Sequence, residues 1–267
     1  MAAPTVTFLS DYGLHDEFVG VCHAVIARIA PQARVVDLAH GIPSFDVRLG
    51  AITLQRALPY AEPGVHLAVV DPEVGGRRRP IAIRVAEDER QLVGPDNGLL
   101  WLAAQRFGGI VEAVDLTRSP YRLEPVSATF HGRDIFAPIA ARLASGLQLA
   151  DVGEPLDPDD VQPLAMPLAE VDADEVVAHA IAFDHFGNVL LDLEHEELTM
   201  GVGLRLGEQV EINGEPGVYA TTFADVDPGT LLLYQDANRA MAVAVNRASA
   251  RERLGLQADD DLRIRRP

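Results

Sequence analysis

The chain of 267 residues is 48% hydrophobic and 23% charged, with a formal net charge of −18 at pH 7. This composition is typical of a folded globular protein with one large domain or two unequal ones. It argues against a nucleic-acid partner, because so acidic a chain leaves little basic surface to neutralise phosphates. The single cysteine excludes an internal disulfide and a thiolate metal cluster.

No segment has the features of a leader or a membrane span. The amino terminus runs into a strand pattern without a charged and then apolar leader. No apolar run approaches the roughly 20 residues that cross a bilayer. We therefore expect the protein in the cytoplasm.

Strand and helix patterns alternate through the first half of the chain. Alternation of this kind predicts an α/β domain, in which helices flank a mostly parallel sheet. Short apolar runs predict strands at residues 6–9, 34–38, 65–70 and 81–85, and amphipathic periodicity predicts helices at about 17–30, 47–58, 99–107 and 134–147.

The pattern changes after residues 151–174, a segment rich in proline and aspartate that predicts a surface linker. We place the boundary near residue 170, which gives domains at residues 1–170 and 171–267. Asn213-Gly214 in the second domain is typical of a tight hairpin turn. Short strands and this turn predict a smaller all-β, barrel-like domain. The strand patterns lie at residues 176–181, 189–191, 209–212, 231–234 and 241–245.

Two carboxylates each follow an apolar strand of the first domain. Asp11 comes after the first strand and Asp71 after the strand at residues 65–70. The carboxyl ends of neighbouring parallel strands open on one crevice, so the two acids converge if their strands are adjacent. For Asp11 two interpretations stay open: a carboxylate that accepts the hydroxyls of a ribose, or a turn residue and helix cap.

The loop after Asp71 carries three consecutive arginines, Arg77, Arg78 and Arg79, and a second loop carries His131. An acid, a fixed cation and an imidazole together can hold a water molecule and its developing charge. Taken alone, a histidine is more often structural than catalytic. The remaining histidines show no ligand spacing, so no metal site is predicted.

One polar segment of the second domain contains Asp184, Phe186 and Asn188. It is typical either of a small-molecule pocket with an aromatic wall or of a β-turn, and taken singly the turn is favoured. Residues 222–225 and 245–247 pose the same choice. Neither GxGxxG nor GxxxxGK[ST] occurs, so no dinucleotide or nucleoside triphosphate loop is predicted.

In their order and spacing these segments resemble the S-adenosyl-L-methionine (SAM) hydroxide adenosyltransferases, or SAM hydrolases, which are related to the fluorinases and chlorinases. The resemblance covers nearly the whole chain. Several ordered motifs at matching spacing make it specific, whereas one motif alone would be weak. The motifs lie at residues 10–16, 37–42, 70–75, 94–98, 129–134, 184–188 and 244–246.

The resemblance implies a homotrimer that binds SAM between the first domain of one subunit and the second domain of a neighbour. It implies that Asp71, Arg78 and His131 hold the reacting water, with no metal and no cofactor, since SAM is the substrate. The substrate contacts that it implies are Asp11 for the ribose diol, Phe45 and Phe223 around the nucleoside, Asn188 and the backbone near Arg247 for adenine, Asp184 for the methionine amine, and in addition Phe130, Phe186 and Asn238.

The implied reaction is an in-line displacement at the 5′-carbon of SAM, from which methionine leaves as a neutral thioether. Free hydroxide is on the order of 10⁻⁷ M at neutral pH, so the site must either remove a proton from water or stabilise a captured hydroxide. Arg78 suits the second route, and His131 could serve either. Asp71, whose reference pKa is about 3.9, is assigned to orienting water and Arg78.

Three other functions make different predictions. A halogenase needs a dry anion pocket, where the carboxylate of Asp71 would repel halide. A SAM-binding regulator with negligible turnover does not need a water-holding cation. A metal-dependent phosphohydrolase built on Asp11, Asp71 and Asp134 requires a divalent metal. We expect SAM hydrolysis ahead of all three.

Overall fold

The computed structural model describes residues 3–267. They form two compact units, one ending at Leu164 and the other spanning Ala165–Pro267. The domain limits near residue 170 that follow from the sequence stay a prediction. Every helix in the described part is too short or too polar to cross a lipid bilayer.

The first unit contains a seven-stranded sheet, and its elements follow the predicted alternation of strands and helices. The strands are β1 (Thr5–Ser10), β2 (Arg34–Ala39), β3 (Val65–Val69), β4 (Pro80–Val85), β5 (Gln91–Pro95), β6 (Ile110–Asp115) and β7 (Glu154–Leu156). The α-helices are α1 (Phe18–Ile29), α2 (Val47–Ala57), α3 (Trp101–Arg106), α4 (Ala137–Ala144), which continues a π-helical turn (Gly132–Phe136), and α5 (Leu149–Val152). Two 3₁₀ turns span Leu58–Tyr60 and Pro158–Asp160.

The sheet has the strand order β2-β1-β3-β5-β4-β6-β7. The pairs β1–β2, β1–β3 and β3–β5 are parallel, whereas β4–β5, β4–β6 and β6–β7 are antiparallel. The link of residues 86–90 between β4 and β5 is too short for a helical crossover, so these two strands form a hairpin. The predicted α/β class is confirmed, with a mixed sheet as its centre.

The edge strand β7 lies inside the segment 151–174, for which the sequence predicts a surface linker. It pairs with β6 through Leu156 opposite Ala113. The linker prediction is wrong for this part of the segment. An edge strand that contains Pro155 is held by backbone pairing on one side and shows little apolar periodicity, so the pattern did not reveal it.

Helices cover both faces of this sheet. Helices α1 and α4 pack together over one face, where Phe8 and Leu67 are buried, and α2 and α3 pack together over the other, where Leu9 and Ala68 are buried. Successive residues of a strand point to opposite faces, which is why neighbours in β1 and β3 enter different clusters. The polar residues that follow β1 and β3 are therefore held at the rim of a rigid, doubly covered sheet.

His66 is a fully buried histidine in the middle of β3. Its Nδ1 lies 2.9 Å from the hydroxyl of Thr7, and its Nε2 lies 3.2 Å from a terminal nitrogen of Arg90. A guanidinium only donates hydrogen bonds, so Nε2 accepts and the proton is on Nδ1. Burial, with the charge of Arg90 adding to its effect, lowers the pKa of His66 to about 3.

We expect His66 to make the first unit sensitive to acid. Between pH 6.5 and about pH 3 this histidine takes up a proton in the unfolded chain but not in the folded one. The free energy of unfolding therefore falls by about 1.4 kcal/mol for each pH unit as the pH decreases. Between pH 6.5 and about pH 5 the wild type should lose about 2 kcal/mol more than His66→Gln, whose amide can still accept from Arg90 and donate to Thr7.

Urea unfolding followed by the fluorescence of Trp101, the single tryptophan, measures this change in the first unit. The control is His15→Gln, which removes an exposed histidine. Its free energy of unfolding should change with pH as that of the wild type does. Equal slopes for the wild type and His66→Gln would contradict the prediction.

The second unit is a β-barrel, which confirms the class predicted for it. Its strands are β8 (Glu170–Val171), β9 (Glu175–Phe183), β10 (Val189–Glu194), β11 (Gln209–Ile212), β12 (Glu215–Tyr219), β13 (Leu231–Gln235), β14 (Ala240–Val245) and β15 (Asp261–Arg265), and its helices are α6 (His195–Gly201) and α7 (Ala250–Leu254). The strand order is β10-β14-β13-β12-β11-β15-β9-β8, and pairing of β9 with β10 closes strands β9 to β15 into a ring. Asn213 and Gly214 have φ values of 48° and 81°, as the predicted hairpin turn requires.

Candidate active site

The two strand-end carboxylates of the first unit lie on adjacent parallel strands. Asp11 follows β1, Asp71 follows β3, and the N–H of Asp11 donates to the carbonyl of Val69 at 3.3 Å. Burial raises the pKa of Asp11; the N–H of Phe45 opposes that rise, and the charge of Asp71 adds to it. The predicted convergence of the two acids therefore occurs in the fold.

Asp71 and Arg78 form a bidentate ion pair in the loop between β3 and β4. Arg78 Nε donates to Asp71 Oδ1 at 2.8 Å, and a terminal nitrogen of Arg78 donates to Oδ2. The two side chains are 5% and 3% exposed, respectively. Gly75 allows the loop to fold back, because its φ is +75° and the carbonyl of Ala128 occupies the place where a side chain would begin. The ion pair is thus held rigidly and away from bulk water.

His131 completes this group from the start of the π-helical turn. Its Nδ1 lies 2.8 Å from a terminal nitrogen of Arg78. Because a guanidinium only donates, Nδ1 accepts and the proton of the neutral ring is on Nε2. Burial lowers the pKa of His131, the charge of Arg78 lowers it further, and Asp71 acts in the opposite direction. The imidazole is therefore neutral at pH 7 and presents an N–H donor at Nε2.

The three consecutive arginines have different surroundings. Arg77 is exposed. Arg78 contacts Asp71 and His131, while Arg79 donates to Asp96 at 2.8 Å and to the carbonyl of Asp160 at 2.5 Å. The fold thus brings together the three residues that the resemblance selects, and Arg78 is the arginine among them.

Phe130 lies in an aromatic cluster beside His131. Its ring centroid is 5.0 Å from that of Phe18 and 5.8 Å from that of Tyr12, both in edge-to-face geometry. The hydroxyl of Tyr12 occupies the place where a side chain on residue 132 would begin, which explains Gly132. Phe130 is half-buried against the core, and its contact with a ligand stays a prediction.

Phe45 has the opposite environment. Its side chain is 68% exposed and its φ is +71°, which is unusual for a bulky residue. The backbone N–H of Phe45 donates to Asp11 Oδ2 at 3.0 Å, which ties the loop before α2 to the end of β1. An exposed aromatic ring held by strained backbone beside a carboxylate is suited to covering a ligand.

The segment with Asp184, Phe186 and Asn188 forms the turn between β9 and β10. Asp184 Oδ1 accepts the backbone N–H groups of Phe186 and Asn188 at 2.9 and 3.0 Å, and Oδ2 accepts from the side-chain amide of Asn188 at 2.7 Å. Asn188 is buried and Phe186 is 74% exposed. A pocket of ≈ 600 Å³ is lined by this turn and by residues of the segment 249–257. The turn interpretation therefore applies, and the role of this segment in a small-molecule pocket stays a prediction.

The other predicted contacts lie on three further turns of the second unit. The ring of Phe223 lies 5.2 Å from that of Tyr234, which holds it half-exposed. Asn238 is exposed, and its N–H donates to Asp236 at 2.7 Å. Arg247 is exposed with a φ of +63°. These geometries leave the roles of Asn238 and Arg247 as predictions.

Asp134, the third carboxylate of the phosphohydrolase alternative, does not join Asp11 and Asp71. It is buried and accepts from Arg133 at 2.6 Å and from the N–H of Ser127 at 2.8 Å. Within residues 3–267, the one group of side chains that could hold a metal ion lies elsewhere, at His23, Asp37 and His40. The sequence did not indicate this group, because its members come from α1, β2 and the following loop at irregular spacing.

Comparison with known proteins relates both units to one family. A family model described as the SAM hydroxide adenosyltransferase N-terminal domain matches residues 6–153, and one for the C-terminal domain matches residues 178–263. Proteins named (R)-S-adenosyl-L-methionine hydrolase are 47% identical in Salinispora tropica, over 98% of this chain and 97% of the relative, and 39% identical in Thermus thermophilus, over 97% and 98%. A fluorinase of Nocardia brasiliensis is 27% identical over 98% of this chain and 97% of the relative. The crystal structure of an uncharacterised conserved protein from Thermotoga maritima superposes with a TM-score of 0.88 at 33% identity, over 98% of this chain and all of the other.

Proposed function

The chain belongs to the SAM hydroxide adenosyltransferase family, and we propose that it hydrolyses SAM to adenosine and L-methionine. The relatives named as hydrolases support this activity, since their similarity covers nearly the whole of both chains. The main structural support for this reaction is the Asp71–Arg78–His131 group at the end of β3, in which Asp71 and Arg78 are buried. Its three side chains offer donors and a fixed charge to one water molecule.

The reaction balances with water alone. A lone pair of the water oxygen forms a bond to the 5′-carbon as the bond from that carbon to sulfur breaks, and the released electron pair neutralises the sulfonium. One proton of the water is released, so each turnover yields adenosine, methionine and one proton. Holding the oxygen in line with the sulfonium supplies up to roughly 7 to 11 kcal/mol of the barrier through positioning. The proposed step uses no metal and no cofactor.

The tautomer of His131 favours the route in which the site stabilises hydroxide. Nδ1 accepts from Arg78, and Nε2 carries the proton, so the neutral ring has no free lone pair with which to remove a proton. We propose that His131 donates from Nε2 to the attacking oxygen. Asp71 holds the guanidinium of Arg78 in place and accepts from the water through a remaining lone pair.

Asp11 is suited to hold the ribose of the substrate. One of its oxygens accepts the N–H of Phe45, and lone pairs remain to accept the hydroxyls of a diol. Phe45 covers the nucleoside from the exposed side of the loop. Asn188 donates its amide to Asp184, which leaves its carbonyl oxygen to accept from the amino group of adenine. Phe186, Phe223 and the backbone of Arg247 complete these proposed contacts.

A homotrimer is the proposed assembly, with a neighbour's second unit completing each site. The exposed aromatic rings of Phe45 in the first unit and Phe186 in the second are available to such an interface. Light scattering should give three times the chain mass of 28.8 kDa. Co-expression of Arg78→Met with Asn188→Ala chains should restore activity that neither variant has alone, and failure to do so would indicate a site within one chain. Cytoplasmic location is part of the same proposal.

Halogenation is the alternative that the fluorinase relatives raise. The buried carboxylate of Asp71 disfavours it, because a fixed negative charge repels an incoming halide. The donors at Arg78 and His131 can bind water or hydroxide in place of halide. Halide should therefore compete poorly with water at this site.

Product analysis in ¹⁸O-water tests the proposed reaction directly. Purified protein and SAM, without halide and with chelator, should give adenosine and methionine in equal amounts, with ¹⁸O in the 5′-hydroxyl of adenosine. Adenosine that lacks the label would exclude attack of water at the 5′-carbon. A chlorinated nucleoside as the main product at high chloride would identify a halogenase. SAM that stays intact over hours would identify a binding protein, and loss of turnover with chelator would identify a metal enzyme.

A further inference from the structure

His23 of α1, Asp37 of β2 and His40 of the following loop meet beside β1. Asp37 Oδ1 lies 2.8 Å from Nε2 of His23 and 3.0 Å from Nε2 of His40, and the three atoms lie within 4.8 Å of one another. Two imidazoles and one carboxylate, with water in the remaining position, form an established ligand set for zinc.

His40 is the reason to look beyond an ordinary hydrogen-bond network. Its side chain is 3% exposed. Its Nδ1 lies 2.7 Å from the hydroxyl of Ser10, whereas its Nε2, although 3.0 Å from Asp37 Oδ1, makes no well-aligned hydrogen bond. A buried polar atom that is poorly satisfied loses part of the about 1 to 3 kcal/mol that a hydrogen bond saves, and a metal ion bound at Nε2 would recover that loss.

We propose that His23, Asp37 and His40 bind a divalent transition-metal ion of the zinc class. Ligand atoms of a tetrahedral zinc site lie roughly 3.4 Å apart, given bond lengths of about 2.0 to 2.1 Å. The spacing here lies close to that arrangement, and small rotations of the two partly exposed side chains, His23 at 35% and Asp37 at 42%, would complete it. The same exposure gives the ion a path of entry and room for water as a further ligand.

The surroundings of His40 match those of a metal ligand. The hydroxyl of Ser10 holds Nδ1 and so orients the ring with Nε2 toward the ion, as the partners of metal-bound histidines do. Ser10 also accepts the N–H of Tyr12 at 3.3 Å, and the carbonyl of His40 accepts the N–H of Gly13 at 2.7 Å. A bound ion would therefore stabilise the segment on either side of Asp11, without taking part in the cleavage of SAM.

Cobalt titration tests the site on the full-length protein after treatment with chelator and dialysis. One Co²⁺ per chain should bind with the visible absorption of a four- or five-coordinate nitrogen and oxygen site, and Zn²⁺ should displace it and raise the melting temperature. His23→Gln and Asp37→Asn should each weaken Co²⁺ binding by about 100-fold or more, since a direct ligand is lost. His15→Gln, which removes an exposed histidine outside the group, should bind as the wild type does.

The absence of a saturable absorption band would overturn the proposal and leave a hydrogen-bond network. Equal binding by the wild type and His23→Gln would overturn it as well. Both readouts are independent of SAM cleavage, so this proposal and the proposed hydrolysis can fail separately.

Discussion

Arg78→Met is expected to lower the rate of adenosine formation from SAM by about 10²- to 10³-fold, whereas Arg77→Met should stay within about twofold of the wild type. The guanidinium of Arg78 donates to both Asp71 and His131 and is 3% exposed, while Arg77 is exposed. Loss of Arg78 removes a preorganised donor and leaves the carboxylate of Asp71 buried without its partner. The rate is measured by chromatography of adenosine at saturating and limiting SAM.

The buried charge complicates this experiment, because breaking such a pair costs about 3 to 5 kcal/mol of stability. Two further variants separate folding from chemistry. Arg78→Lys keeps a positive charge but cannot hold Asp71 in bidentate geometry, so it should fold and remain slow. Asp71→Asn combined with Arg78→Met removes both charges and should recover stability without recovering the rate. A fast Arg78→Met variant beside a slow Arg77→Met variant would contradict the assignment.

The resemblance selected the members of this candidate site, but it did not predict how they interact. The strand-end positions of Asp11 and Asp71 follow from an apolar run and the rule that parallel strands end at one edge. The tautomer of His131 could not be predicted, because it depends on a contact with Arg78 across 53 positions of sequence. The pairing of Arg79 with Asp96 likewise depends on how two distant loops meet.

Prediction of the fold from the sequence was limited in the same way. Amphipathic periodicity predicted helices α1 to α4, and short strands with the Asn213-Gly214 turn predicted the barrel, because both patterns are local. The strand Gln91–Pro95 was not predicted, since it carries few apolar residues and ends in Gly94-Pro95, yet it lies between β3 and β4, parallel to β3 and antiparallel to β4. Similarly, the group of His23, Asp37 and His40 exists only because α1 and β2 bring it together.

The pH profile of kcat/KM for SAM is expected to show an acid limb, with a midpoint below 6.5, that comes from His131. Burial and the charge of Arg78 lower the pKa of His131 from 6.5, so the ring is neutral at pH values above this limb. As the pH falls through that pKa, Nδ1 gains a proton, can no longer accept from Arg78, and places a second cation beside it. Activity is therefore lost on the acid side, and His131→Gln should lack this acid limb.

A comparison of His131→Gln with His131→Ala distinguishes a donor from a base, which the pH profile alone does not. Glutamine can accept from Arg78 with its carbonyl and donate with its amide, but it cannot take up a proton at neutral pH. If His131 acts by donating to the attacking oxygen, the alanine variant should lose about 10²- to 10³-fold and the glutamine variant should be about 10-fold faster than alanine. If His131 instead removes the proton of water, the two variants should be equally slow. The contact of Nδ1 with Arg78 favours the first result, because it leaves the neutral ring with a proton to donate and no lone pair to receive one.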